Sequence, residues 1–219
     1  KRRFTKYSPK PELKEGNYIL VQVVKEEIGT KGVRLETEIS LPGRFLVMMP
    51  YGHGKIHLSR KIVDEEQKQY ITQNILPKLQ IPDDMDVIIR TAAMGVKSKY
   101  VQNDFENLSN IWKQVEKEAE KADGIKCVHE ELDLVRKVIR DWLDENVESI
   151  FVDDPKLYEN IKIFIKNFSG TPKVNLRLYK GNIDIFDKFG ITRQIEKLYE
   201  KKAWLKCGGY LIIEKTEAL

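Results

Sequence analysis

Residues 55–79, KIHLSRKIVDEEQKQYITQNILPKL, carry the change of hydrophobic period that decides the fold class. As far as Leu58 the pattern is that of a short strand. From Asp64 onward Tyr70, Ile71, Ile75 and Leu79 fall near one helical face, and Pro77 stands close to its end. Upstream, residues 17–24 (NYILVQVV) and 33–39 (VRLETEI) are β-rich, and the second alternates apolar and polar. The intervening KEEIGTKG, residues 25–32, places two glycines in a polar loop and predicts a hairpin. Pro42-Gly43 predicts a turn before residues 44–49 (RFLVMM), and Gly52 with Gly54 a turn before residues 55–58. Four short strands joined by tight turns predict a small antiparallel sheet or part of a barrel.

Downstream the pattern is mixed. Residues 87–90 (VIIR) read as a short buried strand running into Thr91. Residues 104–122 form the clearest helix, with Phe105, Leu108, Ile111, Trp112, Val115 and Ala119 as its stripe. A second helix over 130–146 carries Leu132, Val135, Ile139, Trp142 and Leu143. After a strand at 150–152, Asp154-Pro155 supplies an N-cap and a first-turn proline for a helix reaching about Phe168. A strand at 174–179, a helix at 192–200 and a strand at 210–214 after Gly208-Gly209 complete an α+β pattern. There is no internal repeat. The abrupt stop after a strand, at Thr216-Glu217-Ala218-Leu219, suggests a portion of a longer protein.

The 219 residues suit one large or two smaller domains, and 41% hydrophobic with 33% charged residues is a soluble balance. The longest apolar runs, 19–24 and 45–49, fall far short of the roughly 18–20 residues of a membrane span. No stretch near residue 1 has a signal-peptide core. Cys127 and Cys207 fit neither a disulfide framework nor a zinc pattern, so a reducing cytoplasm is expected and a secreted or membrane protein is not.

Net charge is +4, but residues 1–14 hold six basic residues against Glu12, so the remainder sums to −1. Such an arm is either simply solvated or a phosphate-contacting segment whose Phe4 and Tyr7 stack on bases.

Catalytic signatures are sparse. His53 and His57 are separated by turn and strand residues, and His129 stands alone. Asp154 is better explained as a cap, and Asp83-Asp84 as a turn after Pro82, than as Mg²⁺ ligands. No nucleophile elbow, Walker loop or dinucleotide fingerprint is present. Phosphate binding has a better candidate. Arg90-Thr91 ends a strand and enters the small, flexible Ala92-Ala93-Met94-Gly95, so a guanidinium, a hydroxyl and backbone N–H groups could hold a terminal phosphate. The plainer alternative is an arginine paired with a surface carboxylate and a threonine capping a turn. Lys25 and Lys31, flanking a β-loop, could likewise hold RNA phosphates or be solvated.

Several segments together resemble the bacterial ribonuclease E/G family. Residues 23–32 (VVKEEIGTKG) are similar to its hydrophobic–KE–x–x–G–x–KG hairpin, and residues 39–47 (ISLPGRFLV), followed by Met49-Pro50, to its ISL-x-G-x-x-LV segment. Leu58-Ser59-Arg60-Lys61-Ile62 matches its [IL]SR[RK]I, and Ile89-Arg90-Thr91-Ala92 its [VI]RTA. Asp153-Asp154-Pro155, Leu178-Tyr179 with Gly181, Ile185-Phe186, Gln194-Ile195-Glu196 and Gly208-Gly209 through the terminal TEAL follow in family order. The matches span nearly the whole chain from Lys14, and the chain looks closer to the short ribonuclease G form.

The resemblance implies an endoribonuclease that cuts single-stranded RNA, such as rRNA precursors and mRNA, and senses a 5′-monophosphate through Arg90 and Thr91. Backbone groups at Gly43 and Val47 assist, and Lys31 corresponds to the S1 loop lysine that touches RNA; Lys25 and Arg60 are further candidate RNA contacts. It further implies the end of an S1/OB-type β-barrel over 1–37, a 5′-sensor subdomain over 38–136, a ribonuclease H-like subdomain over 137–207 and the start of a deoxyribonuclease I-like catalytic subdomain over 208–219. The full-length protein would use Mg²⁺ and form a homo-oligomer in the cytoplasm. The family's metal-binding aspartates begin just past TEAL, so these residues hold neither a catalytic group nor a metal and are expected to be inactive alone. Its zinc-linking cysteines match neither Cys127 nor Cys207, and Ala93 stands where many members have glycine. The rival expectation is a non-catalytic RNA-binding or scaffold protein of the same architecture.

Overall fold

The computed structural model describes residues 8, 10, 11, 13–131, 133–144, 146–167 and 173–214. Phe4 and Tyr7 of the basic arm, Leu132, the helix end at Phe168 and the TEAL motif lie outside the described residues. The fold is α+β, in two compact units: residues 1–147 with 163–173, and residues 148–162 with 174–219.

The first unit opens with an antiparallel hairpin of β1 (Gln22–Lys25) and β2 (Arg34–Glu36), shorter than the β-rich runs at 17–24 and 33–39. Within its connecting loop Ile28 and Lys31 exchange both backbone hydrogen bonds, each 3.1 Å, around Gly29-Thr30. Gly29 takes φ 59°, a left-handed value that the absence of a Cβ permits. The Gln22 amide donates to the Ser40 carbonyl and accepts from its N–H, both at 2.9 Å, which ties the hairpin to the next strand.

β3 (Leu41–Pro42), β4 (Leu46–Pro50) and β5 (Ile56–Leu58) follow. α1 (Glu65–Tyr70) starts at Asp64, whose carboxylate accepts from the N–H groups of Glu66 and Gln67 at 2.8 and 3.3 Å. It continues as a π turn, Ile71–Ile75, and a 3₁₀ turn, Leu76–Lys78, in which Pro77 prevents further helix. β6 (Met85–Ile89) emerges from a turn closed by Met85 N–H on the Pro82 carbonyl at 3.1 Å.

The sheet order is β3-β4-β6-β5, with β4 antiparallel and β5 parallel to β6. This corrects the antiparallel sheet expected from the first four strand runs. Those strands divide between two sheets, and β6 inserts between β4 and β5. Turn residues record that a chain reverses but not which edge the next strand joins. The crossover through α1 supplies the long connection that parallel pairing requires.

α2 (Ser98–Glu120) packs on β3, β4 and the turns at 71–78. It begins six residues before the expected 104, and its first turn already contributes Val101 to the buried face. Val101, Phe105, Leu108, Trp112 and Val115 are buried with Phe45, Leu46, Met48, Val87 and Ile89 in one core. α3 (Leu134–Trp142) is shorter than the expected 130–146, since Asp133 caps it by accepting from the Arg136 N–H at 2.9 Å. Ile139 and Leu143 are buried, whereas Trp142 is 76% exposed and leaves the expected stripe.

The second unit contains β7 (Ser149–Val152), most of α4 (Pro155–Asn167) and β8 (Asn175–Leu178), with β7 and β8 parallel. Asp154 caps α4 as its Asp-Pro signature indicates, accepting from the Leu157 N–H at 2.6 Å. α5 (Ile185–Lys188), α6 (Ile191–Tyr199) and the hairpin of β9 (Lys202–Trp204) with β10 (Tyr210–Ile212) follow. α5 and β9 are additions to the elements expected from the sequence, since both are too short to show a period.

Asp104 is the charged residue in the buried stripe of α2. Its Oδ2 accepts from the Phe45 N–H at 2.7 Å and the Leu46 N–H at 3.3 Å. It fits because residue 43 is glycine: a Cβ there would lie 2.5 Å from the same oxygen. Asp104→Ala is expected to destabilise the fold by about 2–4 kcal/mol, because two buried N–H groups lose their acceptor. Gly43→Ala is expected to cost about 1–3 kcal/mol through overpacking. Urea denaturation measures both.

Candidate functional site

Three chain reversals meet at one end of the four-stranded sheet. The turn after Pro42 enters β4, Ser59 leaves β5 and Arg90 leaves β6. Register places them together, since Leu46 and Leu58 both pair with Ile89. The Arg90 N–H donates to the Phe45 carbonyl and the Ser59 N–H to the Ile89 carbonyl, both at 2.8 Å. Arg90, Thr91, Gly43 and Arg60 therefore share this end. Val47, half-buried, lies one pair farther in, opposite Ile88 and Pro42. Lys25 and Lys31 are exposed on the β1–β2 hairpin, where Lys25 faces Arg34 and Lys31 closes the Gly29-Thr30 turn. Among the described residues no hydrogen bond or ion pair joins these two lysines to Arg90.

The Arg90 side chain is 28% exposed. Its Nη1 donates to the Gly43 carbonyl at 2.5 Å and forms an ion pair with Asp141 Oδ1 at 2.8 Å. No described residue accepts from Nε or Nη2. Thr91 begins a 3₁₀ turn, Thr91–Ala93, and its hydroxyl bonds to no other described residue. Ala93 is wholly buried against the core, and Gly95 turns the chain with φ 71°. Gly43 thus serves the site in two ways, as an acceptor for Arg90 and as the gap that admits Asp104. The paired-arginine alternative raised by the sequence is also present, since Asp141 is a half-exposed carboxylate partner.

Behind Arg90 stands a second arginine, only 7% exposed. Arg140 Nε and Nη2 donate to the two oxygens of Asp141 at 3.0 and 2.9 Å. Its Nη1 donates to the Pro42 carbonyl and Glu131 Oε1, both at 3.0 Å. Lys137 pairs with the other Glu131 oxygen at 2.9 Å. Arg44, in the turn itself, donates to the Leu143 carbonyl and lies 5.4 Å from the centre of the Phe45 ring.

The electrostatics follow from these contacts. Burial pushes the Asp104 carboxyl up, against the N–H groups of residues 44–46 and the Arg90 charge. Burial acts the same way on Asp141, but the Arg140 and Arg90 guanidiniums outweigh it and hold Asp141 below its usual value. Desolvation lowers Arg44, opposed by Asp104 and Asp144.

Sequence reasoning does not single out four of these residues, Asp104, Glu131, Arg140 and Asp141. Asp104 has a signal that could have found it, a carboxylate inside an apolar stripe between Val101 and Phe105. The other three carry no comparable signal. Among the described residues no three His, Cys, Asp or Glu side chains gather in a group that could hold a metal ion. No described helix is long and apolar enough to cross a membrane.

A carboxylate held below its unfolded value stabilises the fold above that value and loses the contribution as pH falls. The stability difference between the native chain and Asp141→Asn is therefore expected to be full at neutral pH and to shrink below about pH 4. Urea midpoints between pH 3 and pH 7 measure it.

Residues 40–219 match the sequence profile of the Ribonuclease E/G family. Ribonuclease G of Haemophilus influenzae is 36% identical over 208 residues, covering 94% of this chain and 42% of that protein. Ribonuclease G of Escherichia coli K12 is 34% identical over 207 residues, with the same two shares. Ribonuclease E of H. influenzae is 33% identical over 207 residues, 94% of this chain but 22% of that protein. The chain thus spans less than half the length of these relatives. With a match over most of its residues, it belongs to the ribonuclease E/G family.

Proposed function

We propose that this chain is the RNA-recognising portion of an endoribonuclease that binds single-stranded RNA and senses a 5′-monophosphate. The observation that carries the reading is the Arg90 guanidinium. Both protein contacts use Nη1, and the Nε–Nη2 edge has no described acceptor, at a half-exposed sheet end beside the Thr91 hydroxyl. That edge presents two parallel N–H groups, the geometry that a phosphate accepts in a bidentate manner. A site shaped for one phosphate disfavours a longer triphosphate end. Lys25 and Lys31 on the hairpin and Arg60 beside the site add backbone phosphate contacts, which strengthen binding without reading sequence.

On this reading the β1–β2 hairpin ends an S1-type barrel over residues 1–37. Residues 38–136 form the 5′ sensor, 137–207 a ribonuclease H-like part and 208–219 the beginning of the nuclease part. Hydrolysis of the RNA phosphodiester, with Mg²⁺ supplying an activated water, belongs to the full-length, cytoplasmic and oligomeric protein. Binding of the 5′ end adds affinity as a linked second contact.

Fluorescence anisotropy with short RNAs bearing 5′-monophosphate or 5′-hydroxyl ends, at one fixed salt concentration, tests the reading. The native chain is expected to prefer the monophosphate by about tenfold, and Arg90→Ala to abolish that preference while binding 5′-hydroxyl RNA unchanged. Equal binding of both RNAs by the native chain removes Arg90 and Thr91 from phosphate recognition.

A further inference from the structure

We propose that Asp141, locked by the buried Arg140, is a positioning residue that aims the open edge of Arg90 at the RNA 5′-phosphate. The inference rests on the reading of Arg90 as the phosphate-binding group and adds the device that orients it.

Two acceptors on one nitrogen define the orientation. Nη1 donates to the Gly43 carbonyl at 2.5 Å and is ion-paired with Asp141 Oδ1 at 2.8 Å, so two oxygens hold this one nitrogen. The guanidinium is planar, so fixing Nη1 on two sides fixes the direction of the Nε–Nη2 edge as well. A lone carboxylate would be a poor anchor, free to turn with its partner. Asp141 is not free. Arg140 grips both of its oxygens and is itself 7% exposed and tied to Glu131 and the Pro42 carbonyl. The two arginines therefore take successive carbonyls of one turn, Pro42 and Gly43, and Asp141 bridges them.

The charges decide between positioning and obstruction. An aspartate beside an anion site ordinarily repels the anion. Here Arg90, Arg140 and Lys137 face Asp141 and Glu131, a formal excess of one positive charge. Asp141 also occupies Nη1 and leaves the opposite edge open, so it does not stand where the phosphate would bind.

The test uses the full chain and its Asp141→Ala, Asp141→Asn, Arg90→Ala and Arg90→Ala/Asp141→Ala variants. Anisotropy with 5′-monophosphate and 5′-hydroxyl RNA is paired with NMR of the Arg90 side-chain nitrogens. Asp141→Ala is expected to cut the monophosphate preference by about fivefold or more, within the coupling seen between contacting residues. Binding of 5′-hydroxyl RNA should not change, and in the Arg90→Ala background the second substitution should do nothing further. Rotation about the Arg90 Cζ–N bonds should quicken. Asp141→Asn keeps one acceptor oxygen and a near-identical volume, so it should fall between native and alanine, and it serves if the alanine variant does not fold. A preference that rises in either variant makes Asp141 a competing anion and overturns the proposal. So does an unchanged preference with unchanged Arg90 rotation. A native chain with no monophosphate preference sinks the phosphate reading instead, while the rotation data still show whether Asp141 holds Arg90.

Discussion

The carboxylate of Asp104 crosses from α2 to the turn that opens β4, and the geometry of the candidate site hangs on that contact. The turn's N–H groups would ordinarily close onto its own carbonyls. Instead Phe45 and Leu46 donate to a side chain 59 and 58 residues away. The Gly43 carbonyl is thereby left for Arg90. A buried anion is costly unless hydrogen-bonded, and here the donors and the nearby guanidinium offset part of the cost, burial still holding the carboxyl above its usual value. Glycine at 43 is the steric condition for the contact.

From this turn the site is built outward in layers of alternating charge. Arg90 and Arg140 take neighbouring carbonyls, Asp141 joins them, and Glu131 with Lys137 closes the set on α3. Helix α2 thus shapes the turn from one side, while α3 and the residues before it supply the groups that hold Arg90. The contacts among Arg90, Arg140 and Asp141 are short and at least partly buried, so screening by salt weakens them less than it weakens a fully exposed ion pair.

Much of the fold is legible in the amino-acid pattern alone. Asp154-Pro155 marks the start of α4, Pro77 the end of the first helical run, and the apolar stripe from Phe105 to Ala119 the dominant helix. Each is a local signal carried by a few neighbouring residues. The Arg90-Thr91 candidate comes from the same kind of signal, a strand end followed by small residues. Its neighbours are less accessible. Gly43 and Val47 enter only through family resemblance, and Arg140 and Asp141 look like ordinary residues of an amphipathic helix.

Local pattern is enough to mark the longer helices and strands, the apolar face of α2, the Asp154 cap and the turn at Pro42-Gly43, and to set an arginine and a threonine together at a strand end. Three-dimensional packing alone establishes that β6 lies between β4 and β5, that β5 runs parallel to it, and that Asp141 stands on Arg90. The reason is physical. Periodicity records that a face is buried but not what buries it, and a charge pair between residues 51 positions apart leaves no mark on the local pattern of either.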